Sequence, residues 1–146
     1  MILLNNYDVF EQFIKEQGIN LDKFDNQDSN RVHFSGNQKL DGGANVLLAY
    51  TFYKDAQFVD IEVFDLANLS NPLKKDNYLS LINELNSNAR IATYSLNEQQ
   101  EIKVMHSLFY NRTFDENLAN LTFELSIALL QSCDESYPKF MKLQWA

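Results

Sequence analysis

Phosphate-cradling loops are excluded first: the chain holds only four glycines, and no G-x-G-x-x-G or G-x-x-x-x-G-K can be read from them. Histidine and cysteine are as sparse. His33, His106 and Cys133 fall short of a structural zinc set at any usual spacing. A nucleophilic site needs Ser, Cys or Thr beside a base and an orienting group, and no Gly-x-Ser-x-Gly elbow is present. Cys133 has no partner for an internal disulfide and lies in an apolar helical stretch, so it is expected to be a buried, inert thiol in a reducing compartment. Long apolar runs are missing too. Met1-Ile2-Leu3-Leu4 is soon followed by Asp8 and Glu11, so neither a signal peptide nor a membrane anchor is expected, and the location implied is cytoplasmic. Basic residues are in deficit, 12 against 20 acidic, for a net charge of -8. That field repels phosphate backbones, and the densest basic pair is only Lys74-Lys75, so no nucleic-acid partner is expected. The excess acid reads first as a solubility device.

What is present suits one domain spanning residues 1–146. That length buries roughly two thirds of the unfolded surface, and 45% apolar residues suffice to build a core. Residues 5–17 predict a short amphipathic helix, with Asn5 or Asn6 as cap, Gly18 as stop, and Val9, Phe10, Phe13 and Ile14 on one stripe. Asn20–Asn30 reads as a polar connection. Its Asp22, Asp25 and Asp28 lack the glycine and terminal glutamate of a calcium loop.

The period then falls to two. Arg31–Leu40, Val46–Tyr53 and Phe58–Asp65 predict three strands in a meander, with turns at Asp41-Gly42-Gly43 and Lys54–Gln57. A linker holding Pro72 leads to a second helix, Asp76 to about Asn88, with Asp76 as cap and Tyr78, Leu81, Ile82 and Leu85 on its apolar stripe. Arg90–Leu96 and Glu101–Leu108 predict a hairpin turning at Asn97–Gln100. A last helix begins near Asp115, with Thr113 or Asp115 as cap, and ends, or starts one further turn, at Tyr137-Pro138. The fold class expected is α+β, in the order α-β-β-β-α-β-β-α, a twisted antiparallel sheet packed against helices.

Two features invite a chemical reading. Asp60 and Glu62 share one strand face, roughly 6–7 Å apart. A solvated sheet face is the expectation for them, and His33 or His106 beside them would be needed for an enzyme. No catalytic residue, cofactor or metal is assigned. The second feature is the last helix. Leu118, Leu121, Leu125, Ala128, Leu129 and Ser132 form a stripe expected to face the sheet, while Phe123, Ile127 and Leu130 lie on the other side, where a surface helix would be polar. Either the first helix, through Phe10, Phe13 and Ile14, or a partner surface must cover them.

The element order resembles that of the YbjN-like proteins, whose domain is similar to type III secretion chaperones. The resemblance is carried by Phe58–Phe64 (FVDIEVF), Asn71–Leu73 (NPL), Tyr78–Asn88 (YLSLINELNSN), Ala89–Tyr94 and Asp134–Lys142 (DESYPKFMK), and it covers nearly the whole chain from residue 5. It implies an open sheet with helices packed on it, often as a dimer, and a regulatory or chaperone-like role without an established reaction. The expected function is thus a non-enzymatic protein-binding or chaperone-like module, a homodimer or bound to a protein partner. The alternative is a small-ligand sensor or regulator using a pocket between sheet and helices.

Overall fold

The computed structural model describes residues 5–146; the apolar tetrapeptide at positions 1–4 lies outside them. The elements run α1 (Asn6–Glu16), β1 (Asp22–Asp25), β2 (Arg31–Lys39), β3 (Asn45–Tyr53), β4 (Phe58–Phe64), a 3-10 turn (Pro72–Lys74), α2 (Lys75–Asn88), β5 (Thr93–Leu96), β6 (Ile102–Phe109) and α3 (Glu116–Trp145). This is the expected α+β fold with one strand added. The six strands form a single antiparallel sheet in the order β1-β2-β3-β4-β6-β5.

The added strand corrects the reading of Asn20–Asn30 as connection. β1 has the sequence DKFD and every residue in it is exposed, so it carries no alternating apolar signal; only pairing with Arg31–Lys39 makes it a strand. It is also a well-defended edge. Lys23 turns towards α1, pairing with Glu11 at 3.1 Å and lying 5.9 Å from the Tyr7 ring, and an inward charge of this kind discourages edge-to-edge association. The hydrogen bond with Glu11 raises the Lys23 pKa against a smaller desolvation effect.

All three helices lie on one side of the sheet. Phe10 of α1 enters the aromatic centre of the core, with ring centroids 4.8–5.3 Å from Tyr50, Phe52 and Phe34. Phe140 near the end of α3 packs against Tyr78 of α2 and Tyr94 of β5. The inward residues of the central strands, Val32, Phe52, Val59, Ile61, Val63, Ile102 and Val104, are fully buried. A sheet covered on one face alternates as observed along β4, where Val59, Ile61 and Val63 point in and Asp60 and Glu62 point out.

Helix ends partly follow their expected caps. Asp115 caps α3, accepting from the Leu118 N–H at 2.9 Å, and Gly18 adopts φ +72° just past α1. Asp76 does not cap α2, because the 3-10 turn brings the helix start forward to Lys75; Asn71 caps that turn, accepting from the Leu73 N–H at 3.1 Å. Pro138 does not end α3. The helix runs on to Trp145 although the ring removes the N–H that would have bonded the Asp134 carbonyl and crowds that same carbonyl. Packing of Phe140 on two tyrosines holds that last stretch in place.

Candidate interaction surfaces

The stripe of α3 that meets the sheet is not the leucine stripe. Leu118, Ala119, Thr122, Ser126, Leu129, Cys133, Ser136 and Phe140 are buried, whereas Leu121 is exposed and Leu125, Ala128 and Ser132 are half-buried. At about 100° per residue, the buried face is rotated by about 70° from the expected one. Three buried hydroxyls make this possible by bonding within the helix: Thr122 to the Leu118 carbonyl (2.7 Å), Ser126 to that of Phe123 (2.6 Å) and Ser136 to that of Cys133 (3.2 Å). Satisfied in this way, they pass as small residues and let the helix lie close on the sheet. Cys133 is buried as expected; burial, with a lesser effect from Asp134, pushes its thiol up to about 12, far from a reactive thiolate.

The proposed partner residues on the back of α3 meet different fates. Phe123 is half-buried, its ring 6.3 Å from that of Phe13, so α1 covers it in part. Leu130 is half-buried beside the β2–β3 hairpin, near Leu40. Ile127 stays 42% exposed between these two covers. Gly42 in that hairpin donates its N–H to Asp134 of α3 at 2.8 Å, which ties the hairpin to the helix.

The other open surface is the face of the sheet turned away from the helices. For Asp60 and Glu62 on it, the expectation is a solvated face. Its outward residues form cross-strand rows, and at one end Tyr53, Phe58 and Phe109 stack with centroids 4.4 and 5.4 Å apart. Arg31 covers the far side of Tyr53 at 5.3 Å. The adjacent row runs Phe24, His33, Thr51, Asp60 and Ser107 from β1 to β6. Asp60 accepts from the hydroxyls of Tyr53 at 2.7 Å and Ser107 at 2.5 Å. Partial burial first, then the bond to Asp60, pushes the Tyr53 phenol up to about 12. Tyr53, Phe58 and Phe109 alternate with the inward residues of their strands, but the strand expected to end at Leu108 stops one residue short of Phe109.

The candidate chemical groups do not converge. His33 shares the outer face with Asp60 but bonds Thr51 Oγ1 at 2.9 Å on the intervening strand, and His106 turns inward to the Ile91 carbonyl at 3.0 Å. Glu62 pairs with Lys103 at 3.1 Å. Among the described residues no three His, Cys, Asp or Glu side chains gather as metal donors. A cavity of about 380 Å³ opens between α2 and α3 below β5, lined by Arg90, Tyr94, Ser132, Glu135 and Lys139 among others. Its floor is already engaged, since the Tyr94 hydroxyl donates within the protein to the Ser132 carbonyl and Ser136.

No family model and no curated protein matches the chain. Among solved structures, it is similar to YbjN from E. coli, with a TM-score of 0.61 over 91% of this chain and 92% of that one, at 12% identity. The chain has a YbjN-like fold. At that identity the likeness is one of architecture: three helices and an open antiparallel sheet, the arrangement that the element order implied. No helix among the described residues is long and apolar enough to cross a membrane.

Proposed function

We propose that the chain is a non-enzymatic protein-binding module, chaperone-like or regulatory, that acts as a homodimer in the cytoplasm. One observation carries this reading. All three helices cover one face of the sheet, and the other face is left open with aromatic side chains on it. Exposed aromatics on an otherwise well-packed domain are a feature of surfaces that meet other proteins. YbjN itself is described as a proposed transcription regulator. For a chain of net charge -8, regulation through protein contacts fits better than direct contact with a phosphate backbone.

The homodimer contact in this reading is the back of α3 left open by α1 and the β2–β3 hairpin: Ile127, with the accessible edges of Phe123 and Leu130. A stable contact should bury roughly 1,000 Å² or more in total. Size-exclusion with light scattering tests the dimer, and cross-linking followed by affinity capture tests for a protein partner. A strict monomer that captures no partner overturns the reading. A small-ligand sensor is the second reading, favoured by the 380 Å³ cavity between α2 and α3. A flat thermal-shift screen against metabolites would remove it.

A further inference from the structure

The open sheet face has a shape and a charge that together select an occupant. Phe24 on β1 is 57% exposed and Phe109 on β6 is 74% exposed. They stand four strand spacings apart, about 19 Å at about 4.8 Å per spacing, which an extended segment of about six residues spans. Between them lies Asp60, whose carboxylate receives two hydroxyl donors but no Lys or Arg among the described residues. A carboxylate has about four lone-pair sites, so Asp60 retains capacity for a cation. Glu62, next along the same face, is already neutralised by Lys103. Arg31 occupies the outer side of Tyr53, and the stack continues to Phe58 and the exposed ring of Phe109. An aromatic platform beside an uncompensated carboxylate suits an arginine, which stacks flat and bonds through its fork. The net charge of -8 draws cations towards the whole molecule, and on this face Asp60, without a cationic partner among the described residues, would meet its like in a second copy of the chain.

Resting on the protein-binding reading above, we propose that the outer face of the sheet binds an extended basic–apolar peptide segment of a partner protein, one arginine pairing with Asp60 and stacking on the exposed ring of Phe109. Its apolar side chains cover the remaining aromatic surface towards Phe24.

The test is fluorescence polarisation of the full chain with three labelled octapeptides, alternating leucine with arginine, serine or glutamate. The arginine peptide should bind at least tenfold more tightly than the serine peptide, and the glutamate peptide should not bind. Asp60→Asn should weaken arginine-peptide binding at least tenfold. Phe109→Ser, at a position 74% exposed, should do the same, while Leu73→Ser in the 3-10 turn, 91% exposed and remote from both proposed contacts, should leave binding unchanged. Failure of the arginine peptide to bind, equal binding of the glutamate peptide, indifference to both Asp60→Asn and Phe109→Ser, or a homodimer cross-linked through this face each overturns the proposal. Capture of a partner at the back of α3 in those cases leaves the broader protein-binding reading intact.

Discussion

The Tyr50 hydroxyl donates to Ser126 Oγ at 2.5 Å, and Ser126 donates in turn to the Phe123 carbonyl at 2.6 Å. This chain of two bonds joins the centre of the sheet to the middle of α3 inside the core. It helps to fix which face of a helix with apolar residues over more than half its circumference is turned inward. Tyr50→Phe should cost about 1 kcal/mol, because it removes one hydrogen bond and leaves Ser126 still bonded within its helix. Ser126→Ala strands the Tyr50 hydroxyl and should cost more, about 1–3 kcal/mol. Urea unfolding of both single variants and the double variant tests this; strictly additive losses would show that the pair is not coupled.

Alkaline pH should destabilise the fold. Burial raises the Tyr50 and Tyr94 phenols from 10.0 to about 12 and the Cys133 thiol from 9.0 to about 12. The unfolded chain therefore loses these protons first, so the folded state's advantage is complete below pH 9 and declines as pH rises from about 9 to 12. Each group contributes a slope of at most about 1.4 kcal/mol per pH unit within its own window. Urea midpoints measured across that range should fall, and Cys133→Ala should flatten the first part of the decline.

Gly42→Ala should destabilise by no more than about 1 kcal/mol, because the Asp134 carboxylate can swing aside at the cost of its hydrogen bond. A Cβ there would lie 2.9 Å from Asp134 Oδ1, the atom that accepts the Gly42 N–H. Asp134→Ala loses that bond but removes the obstacle, so Gly42→Ala should cost less in its background. Thermal unfolding of the four proteins of this cycle decides the point.

Lys74→Met should fray the end of α3. The Lys74 ammonium donates to the carbonyls of Leu143 at 2.6 Å and Gln144 at 3.1 Å, satisfying orphan groups at the negative end of the helix dipole. A loss of about 1 kcal/mol is expected, together with faster amide exchange in the last turns of α3 and no change in β2 or β3. Uniformly unchanged exchange would refute the capping role.

Phe123→Ala should cost more than Ile127→Ser. Phe123 is packed against Phe13 of α1, while Ile127 is 42% exposed and its replacement should stay within about 0.5 kcal/mol. Chemical denaturation at low protein concentration isolates this difference from any effect of association. A costly Ile127→Ser under those conditions would mean the side chain is more deeply packed than its exposure implies.

From residue 31 onwards the order of helices and strands was legible in the chain alone, along with the hairpin turns, the start of α3 near Asp115 and the α+β class. These are decided by local periodicity and turn chemistry, which one chain segment carries alone. The sequence also showed that the back of α3 required a cover, part of which Phe13 supplies. Three things were decided only by tertiary structure. β1 exists because β2 offers it a hydrogen-bonding edge, and its own residues carry no apolar alternation. α3 continues through Pro138 because Phe140 is held between Tyr78 and Tyr94, which offsets one missing hydrogen bond. The phase of α3 differs from the expected one because periodicity counts apolar side chains, whereas close approach to a sheet favours small ones. Thr122, Ser126 and Ser136 can be buried because their hydroxyls find carbonyls one turn back, and that satisfaction cannot be counted from hydropathy. The same limit hid the aromatic stack: whether Tyr53, Phe58 and Phe109 lie under a helix or in the open depends on which side of the sheet the helices choose, a choice made by the whole core.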